Sequence, residues 1–104
     1  MTEPAPAIVP RAEKDLSSDY REPATATQHT LVRVWREHLH VDPVGLDDDF
    51  FELGGHSLLA AELLVATELA VGVHVSARTL YLEPTIAALA AEIDRRRSEE
   101  GAPA

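Results

Sequence analysis

Apolar residues recur along the middle of this 104-residue chain with helical spacing, and their phase is reset wherever proline or glycine intervenes. In QHTLVRVWREHLH, residues 28 to 40, Leu31, Trp35 and Leu39 stand at i, i+4 and i+8 with Val32 and Val34 beside them. That period places them on one face of a helix, for which Thr27 is the expected N-cap. Pro43 and Gly45 end the helical order, and the long connection VDPVGLDDDFFELGGH follows. Connections of this length are uncommon in small domains and often functional. Val44, Leu46, Phe50, Phe51 and Leu53 are its expected anchors in the core.

A second helix is predicted from Ser57 to about Ala70, with Leu59, Leu63, Ala66 and Ala70 as its stripe and Gly72 as its C-terminal cap. Ser76 is placed to cap a short third helix running through Leu82. Val71 to Val75 also fits a strand, but it has no partner strand. Pro84 and Thr85 open the last helix, which buries Ile86, Leu89, Ala90 and Ile93. Arg95, Arg96 and Arg97 close it, complementing the negative end of its dipole. The sum is an all-α four-helix bundle, three helices long and one short, with a long structured first loop. Residues 1–24 carry Pro4, Pro6, Pro10 and Pro23 without a sustained period and read as a flexible linker. The folded domain is expected over 25–97, and 98–104 as a flexible tail.

Composition narrows the function. Apolar residues make up 45% of the chain, enough for one small core. The formal net charge of −9 disfavours nucleic acid and anionic membranes, and favours a basic protein partner. No run is long and apolar enough to span a membrane, and the N-terminus lacks the pattern of a signal peptide. A cytoplasmic monomer is expected. Without cysteine there is no disulfide or thiolate metal site, and any working thiol must come from outside.

The candidate chemistry concentrates at Ser57 in FFELGGHSLL. A nucleophile elbow requires Gly-x-Ser-x-Gly between strand and helix, but Leu59 stands where the second glycine belongs and no sheet is predicted. Ser57 could simply cap the second helix after a tight Gly54-Gly55 turn. Its third reading is covalent attachment of a phosphate-containing group, favoured by the unpaired N–H groups and dipole of a helix start. On that reading Gly54 and Gly55 leave room for a modifying enzyme. Asp42, Asp47, Asp48, Asp49 and Glu52 do not follow an EF-hand pattern and read as a solvated loop or a strip for a basic partner. One of the aspartates before Phe50 is also placed to cap a short turn. His38 and His40, two apart on a helix, face different ways and do not suggest a metal site. No metal is expected.

DDFFELGGHSLL, residues 48–59, resembles the signature of peptidyl carrier (thiolation) domains of nonribosomal peptide synthetases, relatives of acyl carrier proteins. TLVRVWREHL resembles that family's first helix and PTIAALAAEI its last, so the resemblance covers about Thr27 to Ile93. It implies a non-catalytic carrier on which Ser57 receives 4′-phosphopantetheine from coenzyme A through a phosphopantetheinyl transferase. The arm's thiol would then carry aminoacyl or peptidyl thioesters, loaded by an adenylation enzyme and used by condensation, tailoring or thioesterase partners. The alternative is a helical interaction module with Ser57 only as a cap. His56, Leu58, Ala61, Glu62, Thr79 and Leu80 are the expected docking residues. The chain departs from the family in lacking its frequent Glu at Gln28, Gly at His40 and basic residue near Glu62. A free-standing carrier and a segment of a longer synthetase are both compatible with the two ends.

Overall fold

Thr25, two residues ahead of the expected cap, starts the first helix. The computed structural model describes residues 7–100, and its first long helix, α1, spans Ala26–Leu39. The Thr25 hydroxyl accepts from the Gln28 amide at 3.1 Å while Gln28 Oε1 accepts from the Thr25 amide at 3.1 Å. Two orphan amides are thereby satisfied at once, which a cap at Thr27 would not achieve. Thr27 instead lies buried inside the helix, donating to Asp94 at 2.7 Å and accepting from Arg97 at 3.0 Å. At the other end His40 takes a left-handed conformation, φ 55°, and its amide bonds the Arg36 carbonyl at 2.9 Å. Glycine adopts that conformation without strain, which explains its frequency here in the family that the sequence resembles.

Three further helices follow: α2 at Ser57–Val71, α3 at Ala77–Leu82 and α4 at Ile86–Glu100. Gly72 closes α2 at φ 77°, and the Ser76 hydroxyl caps α3 by accepting from the Arg78 amide at 3.1 Å, both as expected. The Thr85 hydroxyl accepts from the Ala88 amide at 3.2 Å at the start of α4. Ile86, Leu89, Ala90 and Ile93 are buried together, the face that the spacing predicts. They meet Leu31, Val34, Trp35 and Leu39 of α1 in one core, which the first loop completes with Val44, Leu46, Phe50 and Leu53.

One register differs from expectation. The buried face of α2 is Ala60, Leu63, Thr67 and Val71, with Leu59 half-buried and Ala70 exposed. This helix is apolar on nearly every side, so periodicity alone does not select its inner face. Arg97 stands in the last turn of α4, where its charge complements the helix dipole, and it also donates to the Val71 carbonyl at 2.9 Å, stitching α4 to the C-terminal end of α2. Helix α4 also continues through Ser98–Glu100, where a tail was expected, and residues 101–104 lie outside the described residues.

The proline-bearing segment that composition reads as linker lies against the bundle over residues 7–24. Val9–Pro10 (β1) pairs in parallel with Val41–Asp42 (β2), and the Val9 amide bonds the His40 carbonyl at 2.7 Å. After a 3₁₀ turn at Arg11–Glu13, Leu16 packs on the core and the Leu46 amide bonds the Arg21 carbonyl at 2.9 Å. The central fastening is Arg11, whose Nε and Nη2 donate to the two oxygens of Asp48 at 2.7 and 2.6 Å. Single polar anchors of this kind leave no hydrophobic period in the sequence.

Asp48 has 0% exposure. Burial raises its pKa, but hydrogen bonds from Arg11, the Gly45 amide and Ser18, with the Arg11 charge, outweigh burial and hold it below the usual carboxylate range. Replacing Arg11 by methionine strands a buried carboxylate, and urea unfolding at neutral pH is expected to register a loss of about 3 kcal/mol, the low end for breaking a buried pair because Arg11 keeps some contact with water. A depressed acid stabilises above its unfolded pKa and ceases to do so as pH falls through its folded value. The gap between wild type and Arg11→Met should therefore narrow on acidification; a gap that widens would contradict the pairing.

Candidate functional site

The loop leading to Ser57 is fastened residue by residue. Asp48 also accepts from the Gly45 amide at 2.8 Å and the Ser18 hydroxyl at 3.0 Å, so its charge is answered from three directions. Arg21 holds Asp47 through two bonds of 2.7 and 2.8 Å, and that pairing lowers the Asp47 pKa against slight desolvation. Ser17 donates its amide and hydroxyl to Glu52 at 3.1 and 2.9 Å. Asp49 accepts from the Phe51 and Glu52 amides at 2.7 and 3.2 Å, the turn-capping role expected for one of these aspartates. Asp42 stands 3.9 Å from Arg36. The acidic strip that the sequence offered to solvent or a basic partner is thus largely engaged within the chain.

Phe50 sets the end of the loop. Its ring packs edge-on against Trp35, centroids 5.4 Å apart, and its amide bonds the Pro84 carbonyl at 2.8 Å. The Gly55 amide bonds the Phe50 carbonyl at 3.0 Å, and a Cβ on Gly55 would run into the Phe50 ring. Gly54 takes φ 110°, a conformation that L side chains rarely adopt. The glycine pair is therefore required by packing and backbone geometry inside the chain, in addition to any room it leaves for an enzyme.

The cap of α2 is His56, not Ser57. His56 is extended, φ −147°, and its Nδ1 accepts from the Leu59 amide at 3.4 Å while its carbonyl accepts from Ala60 at 2.8 Å. Ser57 becomes the first residue inside the helix, with its side chain exposed and no acidic residue in that turn. Among the described residues no side-chain hydrogen bond engages its hydroxyl. The capping duty that competed for Ser57 belongs to its neighbour, and the hydroxyl is free.

The expected docking residues separate. His56, Leu58, Ala61 and Glu62 are exposed, Leu58 at 66%, while Thr79 is half-buried. Leu80 is a correction: at 0% exposure it belongs to the core, because the six-residue α3 turns that position inward. Tyr81 and Leu82 are the exposed apolar residues of α3. Phe51 is the second correction: at 37% exposure it leaves the core and stacks on Tyr81, centroids 5.7 Å apart. Tyr81 and Leu82 were missed, since a helix of under two turns gives too short a window to fix its face. Within α1, His38 Nδ1 donates to the Val34 carbonyl at 2.8 Å and His40 forms the C-cap, so the two do not converge. Lys14, also unforeseen, places Nζ 3.6 Å from the point where a Gly54 Cβ would stand.

A family model described as "Phosphopantetheine attachment site" matches residues 29–93. This chain belongs to that family. The carrier domain is 45% identical over 74 residues to malpinin synthetase of Mortierella alpina, covering 71% of this chain and 1% of that protein. It is 39% identical over 85 residues to tyrocidine synthase 2 of Brevibacillus parabrevis, covering 82% of this chain and 2% of that protein. The chain therefore spans a very small part of the curated relatives it matches. Among solved structures it is similar to a peptidyl carrier protein in complex with the phosphopantetheine transferase Sfp and coenzyme A. That likeness has a TM-score of 0.71 and 32% identity, over 74% of this chain and 100% of the other. Its fold is that of peptidyl carriers, and its cofactor is 4′-phosphopantetheine derived from coenzyme A.

The carrier domain's residues fit that group. An exposed hydroxyl, unused by any cap, stands in the first turn of a fifteen-residue helix whose leading amides and dipole favour a phosphodiester. Among the described residues no helix is long and apolar enough to cross a membrane. Gly55→Ala, which forces Phe50 to move, is expected to cost about 1–3 kcal/mol in urea unfolding. Adding Phe50→Leu should recover part of that loss; no recovery would contradict the contact assigned to the ring.

Proposed function

We propose that Ser57 is the attachment residue and that the protein is a non-catalytic carrier serving nonribosomal peptide biosynthesis. The observation that supports this most is the division of labour at the start of α2, where His56 caps and leaves the Ser57 hydroxyl unengaged. On a phosphopantetheinyl transferase, Ser57 Oγ attacks the β-phosphorus of coenzyme A. The Oγ–P bond forms, the bond to the adenosine 3′,5′-bisphosphate leaving group breaks, and the hydroxyl proton passes to a base on the transferase. Once attached, the arm supplies a thiol that holds acyl groups as thioesters. The chain itself holds the attachment point still, through Phe50 against Trp35 and Asp48 against Arg11, and leaves the chemistry to partners.

Those partners are the transferase, an adenylation enzyme that loads an amino or related acid, and condensation, tailoring or thioesterase enzymes that use it. His56, Leu58, Ala61, Glu62 and Thr79, joined by Tyr81 and Leu82, form the docking face in this reading. Contacts there must be weak enough to release. The folded unit takes in residues 7–24 as well as 25–97, and the cytoplasm remains the expected compartment.

Incubation with coenzyme A and a broad-specificity transferase, followed by intact-mass measurement, tests the assignment. The mass should rise by one phosphopantetheine in the wild type and not in Ser57→Ala. A folded wild type that gains nothing, or a Ser57→Ala that still gains the group, would refute it.

A further inference from the structure

Two anchors hold Lys14 over the glycine turn. Arg11, three residues earlier, is fixed to Asp48 and offers its carbonyl to the Lys14 amide at 3.0 Å. Ser17, three residues later, is tied to Glu52 by its amide and hydroxyl. Between these points the Lys14 ammonium approaches Gly54, only three residues before Ser57. Lys14 is the single lysine of the chain. The acidic groups of the loop are engaged elsewhere: Asp48 with Arg11, Asp47 with Arg21, Glu52 with Ser17, and Asp49 with two backbone amides. Among the described residues no carboxylate forms an ion pair with Lys14, although Glu13 and Asp15 flank it in sequence.

We infer that Lys14 is the counter-ion of the phosphodiester on Ser57, making the strap of residues 7–24 part of the cofactor site. This rests on Ser57 being the attachment residue. The phosphodiester adds negative charge to a chain already at −9, and at a loop where the acids outnumber the bases. An ammonium is a compact charge with three donors on a flexible stem, suited to a phosphate that leaves the helix at varying angles. The fastening of Arg11 and Ser17 restricts where that stem begins, so the ion pair costs less ordering than a freely hanging lysine would require.

Coenzyme A phosphates share this chemistry, and the test separates them from the attached group. Lys14 is acylated with a limiting amine-reactive acetyl ester, and peptide mapping resolves it from the N-terminal amine. Apo protein, holo protein and transferase-treated Ser57→Ala are compared at low salt and at about 0.5 M salt, where screening lengths shrink to a few ångström. Acylation in the holo form should be about two- to fivefold slower than in the apo form at low salt, and equal at high salt. Ser57→Ala should react at the apo rate, with or without coenzyme A. Slowing of Ser57→Ala by coenzyme A alone would move the contact to the free nucleotide and overturn the assignment. Slowing that persists in high salt would mean shielding by the arm, and would also overturn it. A mass gain with unchanged Lys14 reactivity overturns this inference alone, whereas no mass gain overturns the Ser57 assignment beneath it.

Discussion

A carboxylate cut off from water must be neutralised where it sits, and much of the architecture around Ser57 follows from how Asp48 meets that demand. Its two oxygens draw in Arg11 from a remote segment, Ser18 from the same segment and the Gly45 amide from its own loop. The Arg11 contact fixes the start of the N-terminal strap, and β1 beside β2 fixes what precedes it. The Gly45 contact fixes the turn that admits Leu46 to the core. A loop that would otherwise be long and charged becomes a shaped wall, with its acids largely satisfied internally and its apolar residues, Phe51 apart, turned inward.

From that wall the geometry passes to the helix start through one ring. Phe50 lies edge-on to Trp35 at the centre of the core and occupies the space where a side chain on Gly55 would go. The chain must then pass Gly54 in a conformation that suits glycine and reach His56 fully extended. An extended residue followed by helix is the geometry of an N-cap, so histidine takes that duty and serine is displaced one step into the helix. The carrier assignment gains from this displacement, because a hydroxyl committed to capping would be a poorer target for modification. Leu58, Phe51 stacked on Tyr81, and Leu82 leave apolar surface exposed on α2, the loop and α3.

The number and order of the helices were legible in the sequence because α1 and α4 each carry a sustained apolar period and because Gly72, Ser76 and Thr85 mark the end of α2 and the starts of α3 and α4. The start of α2 at Ser57 was legible through the glycines before it and the apolar run after it. Helix α2 was misphased because Ala and Leu surround it almost completely, leaving no contrast for a period to report. Leu80 was placed on the docking face and Tyr81 overlooked because α3 is too short to define a face. The strap was missed for a different reason: Arg11, Ser17 and Arg21 act one at a time, on partners 26 to 37 residues away. Contacts of that kind are set by tertiary structure, and prolines in the same stretch argue locally for a linker.

Amide hydrogen exchange is the most direct measurement of whether the first loop is a fixed presenting surface. The amides of Gly45, Phe50, Leu53 and Gly55 bond Asp48, the Pro84 carbonyl, the Asp49 carbonyl and the Phe50 carbonyl respectively. They should exchange as slowly as amides in the middle of α1 and α4. Exchange of these four at the rate of an open loop, while the helices stay protected, would contradict the central claim that Asp48 and Phe50 hold Ser57 in place.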